Sequence, residues 1–385
     1  MNKSSKVIAG IIVILLIIWG ISAANRGDKQ EASKEPVKIG GAYILSGPVS
    51  LVGELQKNAT KMAVDEINAA GGINGRQFEV VQEDSQYDSR TALSAYQVLK
   101  LKGIKIIVAD GSPVAAPLRP IVIADGNFMI VPGATTPAYF DGENRSCRIA
   151  LTAKNFGPAQ TDLLLSRGYR KIATFHSDNE GGRGFYEALE KDFIAKGGKI
   201  VVGEFYQTNA TDYRTGLSKI KAKLGEIDAI VIQHVTNAIE PLLKQMKELG
   251  ISKPVITDYY TINNPALKDL ALANDIEFVD YEYAKTDLTT DSDRVKAFKA
   301  NYRKLYSTDP TYFSASTYDS IYLIADAIKA VGEDPAKVGA YISGLKGYKA
   351  ITGTLSFNSD CEVERLTKLS RVAGGEIVDF IGYAK

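Results

Sequence analysis

From Val37 onward, short apolar runs rich in β-branched residues alternate with segments whose apolar residues recur at helical spacing. Residues 37–43, 78–83, 104–109 and 128–131 read as strands, and 51–70, 89–102 and 113–126 as the helices between them. In the first helix Ala59, Met62, Ala63, Ile67 and Ala70 share one face, and Gly71-Gly72 ends it. This β-α-β-α order predicts a parallel sheet covered on both faces by right-handed crossovers. A second run of the same kind follows residue 150, with strands at 171–176, 199–205, 229–233 and 254–257 and helices at 157–168, 183–197, 211–224 and 236–250. Beyond residue 290 the rhythm changes. Three helical patterns, 291–306, 314–331 and 335–345, follow without a strand between them, and strand-like 351–357 and 367–373 come last. The pattern predicts an α/β protein of two lobes, with late helices returning to the first lobe. No repeat of period about 20–50 residues is present, which disfavours a solenoid.

Residues 1–36 have a different character. Lys3 and Lys6 precede an uncharged run at 7–24, VIAGIIVILLIIWGISAA. At about 1.5 Å per residue such a helix spans roughly 27 Å, enough to cross a hydrocarbon layer. Ser22-Ala23-Ala24 also fits a signal-peptide cleavage site, so this segment is expected to be either a cleaved signal or a retained anchor. Residues 25–36, NRGDKQEASKEP, have the composition of a polar tether. The folded body is then expected on the outer side of a membrane, anchored, periplasmic or secreted.

Charge and composition narrow the chemistry. The chain has 385 residues with 46 Lys+Arg and 45 Asp+Glu, and the body from residue 37 is nearly neutral. Nucleic-acid binding needs clustered positive charge, so none is expected. Two Cys and two His are too few for a structural zinc cluster, and neither a metal nor a cofactor is expected. His176 and His234 each end a strand and read as core or rim residues. Asp287, Asp291 and Asp293 lack the Gly and terminal Glu of a calcium loop. Asn179-Glu180-Gly181-Gly182-Arg183-Gly184 follows a strand but lacks the spacing of a dinucleotide cradle. No G-x-S-x-G elbow occurs, and the chain is not expected to be an enzyme.

Candidate binding chemistry lies in three strand-to-helix turns of the first lobe. Ser46-Gly47-Pro48, Ser112-Pro113 and Thr135-Thr136-Pro137 each place a hydroxyl residue at or just before a proline. A hydroxyl N-cap followed by Pro at N1 is an ordinary way to open a helix. If two such turns converge beyond the carboxyl ends of the strands, their hydroxyls and backbone N–H groups form a site for a carboxylate without any Lys or Arg. Gly133 lets the backbone approach a ligand closely there.

These residues carry a resemblance. The stretch IGGAYILSGPVSLVGELQKNATKMAVDEINAAGGINGRQFEVVQEDSQYD, the segment VADGSPVAAPLRPIVIADGNFMIVPGATTPAYF and the late DPTYFSASTYDSIYLIADAI resemble the leucine/isoleucine/valine-binding proteins of ABC importers, type I periplasmic binding proteins. The resemblance covers residues 37–373 and implies two Rossmann-like lobes with parallel sheets, joined by three hinge strands near 148–151, 278–283 and 351–355. Lobe 1 would then comprise 37–149 plus 283–352, and lobe 2 150–282 plus 353–385, after the apolar helix of 1–24 and the tether of 25–36. The family's carboxylate grip falls on Ser112, Gly133 and Thr135, with Ser46 beside it. On the lobe 2 side the positions of the family's amine-binding tyrosine and glutamate hold Val235 and Tyr259 instead, and its ring-stacking tyrosine falls near Gly181. Asp258, one residue from Tyr259, would replace the lost carboxylate if the loop shifts. Cys147 and Cys361 each lie a few residues from an implied hinge strand and are either a disulfide or two buried thiols.

The resemblance thus implies a monomeric solute-binding protein that closes its lobes on an amino acid of branched-chain type, or a related small carboxylate, and docks on a membrane permease. The alternatives are a ligand-sensing receptor domain of the same fold, or a binder of an amide or aromatic acid.

Overall fold

In the computed structural model, which describes residues 35–136, 144–281, 292–363 and 367–379, the predicted alternation forms two sheets. The first holds β1 (Val37–Tyr43), β2 (Phe78–Asp84), β3 (Ile106–Ala109), β4 (Phe128–Val131) and β5 (Ser146–Arg148) in the order β2-β1-β3-β4-β5, all parallel. The second begins with β6 (Lys171–Ser177), β7 (Lys199–Tyr206), β8 (Ala229–Ile232), β9 (Val255–Asp258) and β10 (Glu277–Tyr281). After the small hairpin of β11 (Tyr348–Ala350) and β12 (Gly353–Leu355), β13 (Thr367–Ala373) and β14 (Glu376–Asp379) join the second sheet, whose order is β14-β13-β10-β9-β8-β6-β7. Strands β3, β4 and β8 are buried at every residue. Helices cover both faces of these sheets, so the strands read as unbroken apolar runs rather than alternating ones. The N-terminal run at 7–24 lies outside the described residues.

Strand order fixes where a ligand can sit. The order reverses between β1 and β3 in lobe 1 and between β6 and β8 in lobe 2, and open α/β sheets bind ligands at the carboxyl ends of such strands. The loops at these ends meet across a cleft. Asn237 donates its backbone N–H to the Pro48 carbonyl at 2.7 Å and its side-chain amide to Ser50 Oγ at 3.1 Å. The Ser89 hydroxyl donates to Glu180 Oε1 at 3.3 Å. At the hinge side, one apolar cluster runs from lobe 1 through Phe156, Tyr259, Tyr260 and Tyr312 into lobe 2.

The first crossing leaves β5 through residues 149–152, with the Ile149 N–H on the Val131 carbonyl and the Ala153 N–H on the Thr135 carbonyl. Of the second, expected at 278–283, residues 278–281 belong to β10 in the second sheet, and 282–283 lie outside the described residues. The third corrects the expectation. A crossing at 351–355, with lobe 2 resuming at 353, does not occur there. Asp319, in the helix Tyr312–Val331, accepts the N–H groups of Ile351 and Thr352 at 2.8 Å each and holds this segment on lobe 1. Strand β12 then pairs with β11, Phe357 donates to the Leu345 carbonyl, and Glu362 bridges to Arg148 in parallel. The chain reaches the second sheet only at β13.

Two hinge-entering segments therefore run side by side, and a disulfide joins them. Cys147 in β5 and Cys361 are bonded, with Cα atoms 4.7 Å apart and 214 positions between them in sequence. Closing so long a loop removes entropy from the unfolded chain, and such a bridge typically stabilises by about 2–4 kcal/mol. Replacing both cysteines with serine should lower the denaturation free energy by that amount. Native protein should also resist alkylation until reductant is added; free labelling at both sites without reductant would exclude the bridge.

Candidate functional site

Ser112 opens the helix Ser112–Ala124 from its first turn, with Gly111 rather than Ser112 in the capping position. The expectation of a hydroxyl N-cap is thus corrected, and the correction matters for chemistry. Released from capping, Ser112 Oγ accepts the N–H groups of Thr135 at 3.0 Å and Thr136 at 3.2 Å, and lies 3.5 Å from Thr135 Oγ1. Both Ser112 and Thr135 are buried. Two of the three predicted turns therefore converge. Beneath them the fully buried Arg148 donates to the carbonyls of Ala134 at 3.1 Å and Thr136 at 2.8 Å and pairs with Glu362.

The third turn does not join them. Ser46 is exposed, and its hydroxyl donates to Asp84 Oδ2 at 2.5 Å while its N–H donates to Oδ1 at 3.2 Å. The helix after it starts at Ser50, beyond an uncapped Val49, so Ser46 is tied to the end of β2 rather than to a ligand position.

From lobe 2, the helix Glu180–Ala195 brings its amino end directly opposite Ser112. A Cβ on Gly181 would lie 3.2 Å from Ser112 Oγ, so glycine is what permits this approach. Asn179 Oδ1 accepts the N–H groups of Gly181 and Gly182 at 3.0 Å each, which makes the glycine-rich turn a capped helix start and leaves no phosphate cradle. Arg183 pairs with Asp178 and lies over the Phe205 ring. A cavity of about 400 Å³ at this mouth is lined by Tyr87, Ser89, Pro113, Asn179, Glu180 and Arg183 among others. A larger one of about 650 Å³ lies beside the amino ends of β9 and β10, around Pro254, Val255 and Glu277, away from the converging turns.

The remaining sequence-predicted residues divide. Val235 is half-buried and packs against the shared apolar cluster. The Tyr259 hydroxyl accepts the Tyr312 N–H at 3.1 Å, and its ring meets those of Tyr260 and Tyr312 edge-on. It thus caps a lobe 1 helix across the hinge, at the position where the resemblance places the family's lost glutamate. Asp258 is fully buried at the end of β9. Its Oδ1 accepts the Thr261 N–H at 3.0 Å, whereas Oδ2 has no hydrogen-bond partner among the described residues. Burial raises its pKa to about 7. His176 and His234 are buried and neutral, each lowered to about 3 by desolvation. His234 Nε2 lies 2.9 Å from the Tyr213 hydroxyl, and its ring stacks on Tyr206. No group of His, Cys, Asp and Glu able to hold a metal ion occurs among the described residues.

Sequence reading missed Asp110 and Gln56. Asp110, at the end of β3 immediately before Gly111-Ser112, is 3% exposed, and Gln56 is buried on the helix Ser50–Ala69. The Gln56 amide N–H donates to Asp110 Oδ2, leaving Gln56 Oε1 and Asp110 Oδ1 without hydrogen bonds. The Gly111 and Gly133 N–H groups lie near enough to stabilise the Asp110 charge, but neither makes a well-directed bond to Oδ1, and burial still raises the pKa to about 6. A Cβ on Gly133 would fall 2.5 Å from Asp110 Oδ1, so the glycine makes room for this carboxylate rather than only for a ligand. An acidic residue at the end of a strand was a readable signal for Asp110. Nothing marked Gln56, whose importance depends on what lies opposite its helix.

The Asp258 geometry has a measurable consequence. Its pKa is raised from 3.8 to about 7, so the stability this carboxyl contributes is fully present below about pH 4 and is lost as pH rises through about 7. Asp258→Asn keeps an oxygen for the Thr261 N–H and has no charge to bury. The variant should melt above the parent at pH 8 and with it near pH 4 in ligand-free thermal scans; equal melting at both pH values would contradict the burial argument.

The family model for periplasmic binding protein matches residues 36–375. The leucine-, isoleucine-, valine-, threonine- and alanine-binding protein of Pseudomonas aeruginosa is 26% identical over 329 residues, covering 84% of this chain and 86% of that one. Among solved structures, the branched-chain amino acid transporter substrate binding protein of Streptococcus pneumoniae in complex with isoleucine has a TM-score of 0.78 at 24% identity, covering 89% of this chain and 98% of its own. A solute binding protein of an ABC transporter from R. palustris, in complex with benzoate, has a TM-score of 0.80 at 18% identity, covering 91% and 96%. With the matched segment spanning both sheets and the cleft between them, the chain belongs to the periplasmic binding protein family.

Proposed function

We propose that this protein is the extracytoplasmic solute-binding component of an ABC importer, that it closes its lobes over an α-amino acid, and that the closed form docks on a membrane permease. The run at 7–24 and the tether at 25–36 would keep the body at the outer face of the membrane, or direct its export. The observation that carries the reading is the buried convergence of Ser112 Oγ with the Thr135 and Thr136 N–H groups, opposite the amino end of a lobe 2 helix.

An oxyanion suits that place. Because Ser112 Oγ accepts the Thr135 and Thr136 N–H groups, its O–H is left to donate to a ligand carboxylate, and the helix end at Gly181 adds a favourable dipole. Asp258 Oδ2, buried and unpartnered, suits an ammonium on the lobe 2 side. Both relatives named with amino acid ligands are consistent with this class. Closure by hinge bending then buries both ligand ends, and no bond in the ligand is broken.

Thermal-shift titration of the protein against amino acids, keto acids, amides and aromatic acids tests the class. Stabilisation should rise with concentration for amino acids, as mass action requires. Thr135→Ala should weaken their binding by about 1–3 kcal/mol, the scale of a hydrogen bond to a buried charge. Unchanged affinity in that variant would remove Thr135 from the site.

A further inference from the structure

Four buried acceptor atoms near the cleft lack hydrogen-bond partners among the described residues. Gln56 Oε1 and Asp110 Oδ1 in lobe 1, and Asn237 Oδ1 and Asp258 Oδ2 in lobe 2, are all hydrogen-bond acceptors. Asp110 adjoins the converging turns: it immediately precedes Gly111-Ser112, and a Cβ on Gly133 would fall 2.5 Å from its Oδ1. No Lys or Arg pairs with either carboxylate among the described residues.

We propose that Asp110 and Gln56 form a side-chain subsite that selects amino acids carrying a second donor group, above all a terminal ammonium, over aliphatic ones. This rests on the amino-acid reading above and names the side chain that reading leaves open. The physical reason is charge balance. A zwitterion with an apolar side chain presents one ammonium, which Asp258 takes, and one carboxylate, which Ser112 and Thr135 take. Asp110 would then be sealed in beside that carboxylate with no neutralising group, and an uncompensated buried charge is expensive. A second ammonium removes the imbalance and supplies the N–H donors that Asp110 Oδ1 and Gln56 Oε1 lack. The Gln56 amide fits this role because its N–H side already faces the Asp110 carboxylate, which leaves its oxygen beside Asp110 Oδ1 as a second acceptor. Burial leaves Asp110 with a pKa of about 6, so it is mostly ionised at neutral pH. Sites built around such acceptors discriminate strongly against analogues that lack the matching donor.

The test uses pairs that differ by the terminal group: norvaline against ornithine, and norleucine against lysine, titrated calorimetrically into the full-length protein at pH 8, with 1,4-diaminobutane added as ornithine without its carboxylate. Ornithine or lysine should bind at least about tenfold more tightly than its aliphatic partner, and Asp110→Leu should reverse that order. Asp110→Asn, nearly the same shape, should shrink the preference while the protein still melts cooperatively, which separates lost selectivity from lost folding. Aliphatic partners binding as tightly as the basic ones, with Asp110→Leu leaving the order unchanged, would overturn the subsite and leave the amino-acid reading standing. Diaminobutane binding as tightly as ornithine would instead remove the carboxylate grip and keep Asp110. No binding by any member of the panel overturns both.

Discussion

A buried arginine holds the working turn of this molecule in place. Arg148 has no exposed surface, and removing a guanidinium from water is costly unless its charge and its donors are met. Glu362 meets the charge, and the carbonyls of Ala134 and Thr136 take donors from it. The turn whose N–H groups face Ser112 is thus braced from behind by the same side chain that anchors the returning C-terminal segment. Arg148 stands next to Cys147, and Glu362 next to Cys361, so the disulfide clamps the two segments that carry this ion pair. Hinge, cross-link and turn form one mechanical unit, and a shift in any of them moves the Thr135 and Thr136 N–H groups that face Ser112.

The cleft built on that unit is asymmetric in its polar atoms. Donors are concentrated on one side, where Thr135 and Thr136 already share Ser112 Oγ. Acceptors without partners occupy the rest, on Gln56, Asp110, Asn237 and Asp258. Such an arrangement costs folding free energy in the empty protein, since buried polar groups are normally satisfied. Sites of binding commonly retain that cost because the ligand supplies the missing partners. The two lobes touch through Asn237 and Pro48 at the rim and through Tyr259 and Tyr312 at the hinge.

Much of the fold was legible in the chain. Strand β1 falls where the apolar run predicts it, and the helices Ser89–Leu101 and Asp293–Tyr306 fall within two residues of their predicted bounds. Tight burial and helical periodicity leave a local record that survives in sequence. Of the elements that escaped the pattern, β5 and β11 are short, three residues each, and are defined by their partners, whereas β12 falls inside the strand-like 351–357. The crossing expected at 351–355 failed for the same reason. Nothing in that stretch announces that Asp319, more than thirty positions earlier, captures its N–H groups.

By itself, the sequence determined the two-lobed α/β order, the separate character of residues 1–36, and the hydroxyl residues of the turns at Ser112 and Thr135. Each of these follows from residues close together in the chain, through periodicity, composition or turn chemistry. Tertiary structure alone decided that Ser46 belongs to Asp84, that Tyr259 caps a helix of the opposite lobe, and that Gln56 and Asp110 share a buried corner. Those outcomes depend on which distant group a side chain meets. A hydrogen-bonding side chain carries its capacity in sequence, but its partner is assigned only when the chain path brings one within about 3 Å.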